Sequence, residues 1–432
     1  MDVSASNYTD HYPIRQMTRS VALYSPGWPS GHVPNGIVTY VGSVAPALNA
    51  LGVQTRVIAG FVAAEESPPA VNLGLERMPR TRKMLLRALR QYSSASPDGP
   101  SLGWSIAQGL EGKRYDLLEM EETFGAAWYT QQLVSVPVVV RLHGPWFLNA
   151  TALGLPHDEA FHRRDLAERR CIADAVGLTA PSQDVLNQVR ERYDLELPHA
   201  VVIPNPAPLI PEEKQWSLEG SDRKSILFVG RFDRHKGGDL IIEAFRQIAN
   251  VRPDAQLIFV GPDRGLRDDA AKDYDLPSFL ESRLPLEMRG RVHVMGPLPS
   301  DQIEMLRRKA YLTVVASRYE NFPLALVEAL SFGCPTVAAN TGGIPEILLA
   351  GRTGLLFRAG DAAELAENVA TLFANPDLAV TLGRQASADM AKRLSPAAVA
   401  RSTLDYYQTL WDAPLLHRSS AWRKLYKATR FI

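Results

Sequence analysis

Short apolar runs rich in β-branched residues alternate with longer helical stretches along most of this chain, and that alternation limits it to parallel α/β architecture. In the first half the strand-like runs are VALYSP (21–26), TRVIAGFV (55–62), DLLEME (116–121), VPVVVRL (136–142), GLTAPS (177–182) and AVVIP (200–204). In the second half they are SILFVG (225–230), QLIFVG (256–261), RVHVMG (291–296), LTVVAS (312–317), PTVAAN (335–340) and GLLF (354–357). Most end in Gly, Pro, Ser or Asn, as strands entering loops do. Between the halves lies PNPAPLIPEEKQWSLEGSDRK (204–224), whose four prolines and charged tail read as an extended linker. The pattern predicts two Rossmann-like, doubly wound domains facing across a cleft: residues 1–203, a linker over 204–224, and 225–397. Domain interfaces are common ligand sites.

At 432 residues there is ample chain for two cores. Lys+Arg and Asp+Glu balance at 47 each, so whole-chain charge implies no nucleic-acid partner. Two cysteines, Cys171 and Cys334, give neither a disulfide framework nor metal-ligand spacing. The first twenty residues are polar and carry no apolar signal core. No run approaches the ~18–20 apolar residues that span a bilayer. The expectation is a cytoplasmic protein, or a peripheral one on the inner face of the cell membrane.

The segment ENFPLALVE (320–328) sets two carboxylates eight residues apart directly after the apolar run LTVVAS. That run reads as a buried strand and ALVEAL as a helix. Glu320 then falls in the strand-to-helix loop and Glu328 about one and a half turns into the helix. In open α/β sheets such loops lie at the carboxyl edge, where ligands bind. The helix start, Phe322–Ala325 with Pro323 in the first turn, offers free N–H groups to an anion. Leu324 and Ala325 belong to the same start, and Phe322 reads equally as a core residue. An ionised carboxylate accepts without donating, so it suits a diol. A ligand bearing hydroxyls and phosphate fits the pattern. Taken alone, the two glutamates read as solvated acids.

GRFDRHKGG (230–238) ends another strand, with Gly230 allowing close approach and with Arg231 and Lys236 converging as two cations. Its other reading is a basic surface turn. GWPSGHVPNG (27–36) is a Gly/Pro loop running into a helix with Asn35 as N-cap, and it lacks a G-x-G-x-x-G fingerprint. RLHGPW (141–146) puts His143 at a strand tip. DLLEMEETFG (116–125) places Glu119, Glu121 and Glu122 at another strand end, as acceptor-binding acids or as solvated ones. In APSQDVL (180–186) Ser182 reads as a helix cap, and in TGGIPEI (341–347) Glu346 fits the start of its own helix.

The three blocks ILFVGRFDRHKGGDLIIEAF (226–245), the Glu pair, and GCPTVAANTGGIPEIL (333–348) resemble the C-terminal half of the retaining GT-B glycosyltransferases of the glycogen-synthase-like, mannosyltransferase-like family. The resemblance spans roughly residues 20–412, and it is looser in the N-terminal half. It implies the GT-B fold, with C-terminal helices (398–432) packing back on the N-terminal domain. It implies that Arg231 and Lys236 contact the donor diphosphate, that Glu320 reads hydroxyls of the donor sugar, and that Glu328 reads the ribose. Gly36 matches the backbone position near the donor phosphate, and His143 matches the histidine beside the reacting sugar. Glu119 and Glu122 remain acceptor candidates. The implied reaction moves a hexose from a UDP- or GDP-linked sugar to a hydroxyl acceptor, in surface polysaccharide or glycolipid synthesis. The leaving phosphate takes the acceptor proton, so no metal or other cofactor is expected. DRGLRDD (263–269) carries acids without a matching partner.

Two rivals share these features. A sugar-nucleotide epimerase would use the same fold and donor without transferring to an added acceptor. A non-catalytic nucleotide-sugar-binding protein would bind without turnover. Separately, ERMPRTRKMLLRALRQY (76–92) holds six cations and one acid, with Leu85, Leu89 and Tyr92 on one helical face and Lys83, Arg87 and Arg90 on another. It reads either as a docking helix for an anionic membrane carrying a lipid-linked sugar acceptor or as a solvated face. The basic tail (418–432) leaves the same two readings open.

Overall fold

The computed structural model describes residues 19–33, 35–63, 70–74, 98–268 and 270–411. The basic segment 76–92 and the tail 418–432 lie outside them.

In the first domain β1 (Ser20–Ser25), β2 (Gln54–Ala59), β3 (Val71–Asn72), β4 (Leu117–Glu121), β5 (Val138–Arg141), β6 (Gly177–Ala180) and β7 (Ala200–Val202) form one sheet in the order β3-β2-β1-β4-β5-β6-β7. Every pairing is parallel, from Ser20 opposite Gln54 to Ala180 opposite Val202. In the second, β8 (Ser225–Val229) and β9 (Gln256–Val260) are followed by a small ribbon of β10 (Leu266–Arg267) and β11 (Asp273–Tyr274). Then β12 (Val292–Gly296), β13 (Leu312–Val315), β14 (Thr336–Asn340) and β15 (Leu355–Arg358) complete a parallel sheet ordered β12-β9-β8-β13-β14-β15. Every run read as a strand from sequence is one. Among the described residues, the strands not foreseen are the three two-residue ones, too short to show any periodicity.

Buried strands are apolar on both faces because helices cover both. Val21, Leu23 and Leu117 pack toward the helix Gly36–Ala50, while Ala22, Leu118 and Val138 pack on the other side. The second sheet buries Ile226, Phe228, Leu257 and Phe259 against the helix Gly238–Val251, whose Ile241, Ile242 and Phe245 face inward.

The linker, read as extended from sequence, turns through the short 3-10 helix Glu212–Lys214 and is packed on the second domain. Trp216 is buried, its indole N–H donates to Ala310 O at 2.8 Å, and its backbone N–H donates to Phe332 O at 2.7 Å. The last described helix, Pro396–Trp411, returns to the first domain. Val399, Tyr407 and Leu410 enter the core beside Val41, Val44 and Leu48, and Tyr406 accepts the Leu178 N–H at 2.8 Å. Among the described residues no helix is long and apolar enough to cross a membrane.

Each sheet reverses its winding direction once, between β1 and β4 and between β8 and β13. Loops leaving the carboxyl ends of two such strands diverge and open a crevice. Both loops singled out by sequence, 230–238 and 316–322, rise from the β8/β13 crevice.

Candidate active site

Gly237 lets the two loops meet. Its φ is 72°, and a Cβ there would run into the Ala316 carbonyl, so only glycine fits. The neighbouring Lys236 ammonium then reaches Glu320 Oε1, which also accepts from Ser317 Oγ at 2.8 Å. Glu320 is 9% exposed and sits between a cation and a hydroxyl. Around this pair opens a cavity of about 290 Å³, whose wall continues through Phe322, Pro323, Leu324 and Ala325. The helix Leu324–Ser331 begins there with Pro323 as its flanking residue and no side-chain cap, so its first N–H groups stay available at the positive dipole end. Phe322 serves two roles: it is packed with Leu326, Val327 and Ile344, and it lines the cavity.

The structure therefore gathers Lys236, Glu320, Phe322, Pro323, Leu324 and Ala325 at one cavity. Gly230 supports the turn, with its Cα position close against the Phe228 ring. Arg231 stands on the same loop but does not line the cavity: its Nε donates to Asp233 Oδ2 at 2.6 Å and its guanidinium lies 3.4 Å from His235 Nδ1. His235 in turn lies against Tyr319 O at 2.8 Å, and burial lowers its pKa, which keeps the ring a neutral spacer between the loops. Glu328 stays 44% exposed at its side chain and accepts from Arg307 at 2.9 Å. Arg307 is fully buried, and its Nε and second terminal nitrogen find no acceptor among the described residues, so the ion pair with Glu328 is its main electrostatic compensation there.

The first domain faces this cavity with two elements. Gly36 opens the helix Gly36–Ala50 under the Asn35 cap, whose side chain accepts from Ile37 N at 2.8 Å. A Cβ on Gly36 would lie 3.9 Å from Leu324 Cδ1, so this helix start meets the cavity wall at Leu324. His143 follows β5. Its carbonyl lies 3.5 Å from Asn321 Nδ2, next to Glu320, and its ring meets Tyr40 edge-on at 5.2 Å. Burial, with Arg141 adding to it, holds the His143 pKa well below the usual imidazole value, so the ring is neutral near pH 7.

The acids in and just after β4 are buried, which corrects their reading from sequence as acceptor-binding or solvated. Glu119 is 3% exposed and accepts from the hydroxyls of Tyr40 and Tyr407, each at 2.8 Å. Glu122 is 1% exposed and accepts from the backbone N–H groups of His143 (3.0 Å) and Gly144 (2.8 Å). Neither can meet an acceptor. Glu122 instead hangs the His143 loop, together with Glu168, which accepts from Trp146 N at 2.6 Å and from Arg164 Nε at 2.8 Å. Burial and the neighbouring Glu122 push the pKa of Glu121 up to about 8 and that of Glu168 up to about 7. Sequence reasoning missed Glu168, Arg307, Ser317 and Asn321. Only the tertiary fold brings the first two to the residues they hold, and Ser317 and Asn321 sat in plain view beside Glu320 without any distinguishing spacing.

Comparison with known proteins decides the family. Residues 210–389 match the model described as glycosyl transferases group 1, and residues 35–206 match a glycosyl transferase 4-like domain. An alpha-maltose-1-phosphate synthase from Mycolicibacterium smegmatis is 30% identical over 310 residues, 65% of this chain and 77% of that protein. The chain is a group 1 glycosyltransferase. A D-inositol 3-phosphate glycosyltransferase from Arthrobacter sp. (strain FB24) is 25% identical over 404 residues, 87% of this glycosyltransferase and 90% of that one. Among solved structures, sucrose-phosphate synthase from Thermosynechococcus elongatus superposes with a TM-score of 0.67 at 21% identity, covering 92% of this chain and all of that one. Anabaena Alr3699/HepE in complex with UDP gives 0.62 at 18%, covering 91% and 100%. The fold is thus GT-B, and the enzyme is a glycosyltransferase.

Proposed function

We propose that the enzyme transfers a hexose from a UDP- or GDP-sugar to a hydroxyl acceptor with retention of anomeric configuration. The observation that carries this reading is the Lys236–Glu320 pair at a cavity walled by an uncapped helix start. Lys236 and the N–H groups of Phe322, Leu324 and Ala325 take the diphosphate, where negative charge grows as the glycosidic bond breaks. Glu320 accepts from sugar hydroxyls and fixes the ring, and neutral His143 lines the opposite side of the sugar. Glu328, held by Arg307, accepts from the ribose diol. Arg231 adds charge at the diphosphate once it turns from Asp233.

The bond from the anomeric carbon to the phosphate oxygen breaks, and the bond to the acceptor oxygen forms on the same face. The acceptor proton passes to the leaving phosphate. No protein nucleophile enters the step, and the enzyme needs no metal because Lys236 and the helix dipole supply positive charge. The names of the relatives, an inositol-phosphate glycosyltransferase and a maltose-1-phosphate synthase, favour a phosphorylated polyol or sugar as the first acceptor class to try. A lipid-linked sugar for surface polysaccharide or glycolipid synthesis is the second. A panel of UDP-, GDP- and ADP-hexoses, with EDTA present and each acceptor class added, tests the reading. Acceptor-dependent release of one nucleoside diphosphate supports it. Interconversion of the donor sugar without transfer would establish the epimerase rival, and binding without turnover the non-catalytic one.

A further inference from the structure

Two motifs that the donor site leaves unused meet across the cleft. Glu346 lies in the short helix Ile344–Ile347 that follows β14. Its carboxylate accepts from the backbone N–H of Gln183 at 2.7 Å and of Asp184 at 2.8 Å. Those are the first two residues of the helix Gln183–Tyr193, which belongs to the other domain. Glu346 therefore caps an N-terminal-domain helix rather than its own, which corrects the reading from sequence. A carboxylate at this end satisfies two free donors and complements the dipole.

The surrounding contacts aim this clamp at the donor site. Ser182 caps the same helix, accepting from Val185 N at 3.3 Å, and its hydroxyl donates to Asn321 O at 3.1 Å. Tyr319 donates to Asp184 Oδ2 at 3.0 Å. Asn321 Nδ2 lies 3.3 Å from Asn149 Oδ1 and 3.5 Å from His143 O. Both chain neighbours of Glu320 thus bind the first domain. Gly343 N donates to Glu320 O at 2.9 Å, and a Cβ on Gly343 would run into Asn321 O. The clamp segment is pressed directly onto the backbone that carries Glu320. Arg393 holds it from behind, donating to Glu346 O at 3.2 Å and Ile347 O at 2.9 Å.

We propose that Glu346 is a positioning residue whose carboxylate clamps the helix Gln183–Tyr193 to the C-terminal domain, so that Glu320 and His143 form one donor-sugar site. The proposal rests on the reading of those two residues as sugar contacts. The diphosphate end of the site, Lys236 and the helix start at 322–325, is carried by the C-terminal domain with only the Gly36 helix start beside Leu324 from the other, whereas the sugar end is built from both. Loss of the clamp therefore separates the two: nucleoside-diphosphate affinity stays and turnover falls.

The test uses the full chain as parent, Glu346→Gln and Glu346→Ala. Gln keeps the shape but has one acceptor oxygen and turns an amide NH2 toward an N–H donor. Three quantities are read: kcat for transfer, the Kd of the product nucleoside diphosphate by calorimetry, and the radius of gyration by small-angle scattering. We expect kcat to fall roughly 10–100-fold, as small misplacements of reacting groups do. We expect an unchanged Kd and a larger radius for both variants. Unchanged kcat, or a Kd that weakens in step with kcat, would overturn the proposal. Were the parent to turn over no donor, the proposed function would fail, and the scattering arm would still decide the clamp: a radius equal to the parent's would refute it.

Discussion

Glu320 and Lys236 carry opposite charges at one point, and that contact separates their losses. Glu320→Ala removes the acceptor for sugar hydroxyls and should lower kcat/KM at least 10–100-fold, since a charged hydrogen bond contributes about 1.5–3 kcal/mol. Lys236→Ala should weaken nucleoside-diphosphate binding as well, which calorimetry distinguishes. Equal diphosphate affinity in parent and Lys236→Ala would remove Lys236 from the phosphate site. Arg307 poses a second test. Replacing it by Met frees Glu328 and removes a buried guanidinium with two unsatisfied nitrogens. Nucleoside-diphosphate affinity should fall about tenfold, the equivalent of ~1.4 kcal/mol, while thermal stability holds or rises. Unchanged affinity would show that Glu328 needs no partner. At this scale most of the lining of the cavity at Lys236 and Glu320 was legible in sequence, because its residues sit within two contiguous loops. The sequence could not show Arg307 against Glu328, twenty-one positions apart on different elements. Nor could it tell that Glu119 and Glu122 point into protein, because a strand end that looks solvent-facing in sequence is roofed here by the helices Gly36–Ala50 and Pro396–Trp411 and by the His143 loop.

The His143 loop is an element suspended from buried acids. Glu122 and Glu168 accept three of its backbone N–H groups, those of His143, Gly144 and Trp146, with Glu121 close by and one of its oxygens unpartnered. The folded pKa of Glu121, about 8, lies above its unfolded value near 4.5. Folding then favours the protonated acid, so ∂ΔG/∂pH is negative between the two values. The stabilising contribution is complete below about pH 4.5 and is lost progressively as the pH rises to about 8. Glu121→Gln should therefore melt above the parent at pH 8, with the gap closing toward pH 5. A gap independent of pH would refute the buried-acid account. Strands were readable because each is a continuous apolar run bounded by turn residues. The inter-domain contacts of Ser182 and Glu346 were not, because a cap looks the same in sequence whichever helix it serves.

On the scale of the molecule, the alternation of strand and helix fixed two sheets, and the crevice at each change of winding direction fixed where ligands meet them. What chemistry the first domain offers an acceptor was less legible, since Glu119 and Glu122, the acids read for it, are buried. The basic segment 76–92 belongs to this scale. If it docks the enzyme on anionic lipid, the protein should co-sediment with phosphatidylglycerol vesicles at low salt and release at high salt, each basic residue near the surface adding ~1 kcal/mol. Failure to sediment, or no change on replacing Lys83, Arg87 and Arg90 by Glu, would leave it a solvated face. We propose that one metal-free cavity at Lys236 and Glu320 drives retaining transfer from a nucleotide sugar. The most direct measurement follows donor, acceptor and product by NMR with EDTA present, for the parent and Glu320→Ala. One nucleoside diphosphate should be released per glycoside formed, with the product keeping the donor's anomeric configuration and the variant giving little product. An inverted product, activity that returns only with added magnesium or manganese, or a variant as active as the parent would contradict it.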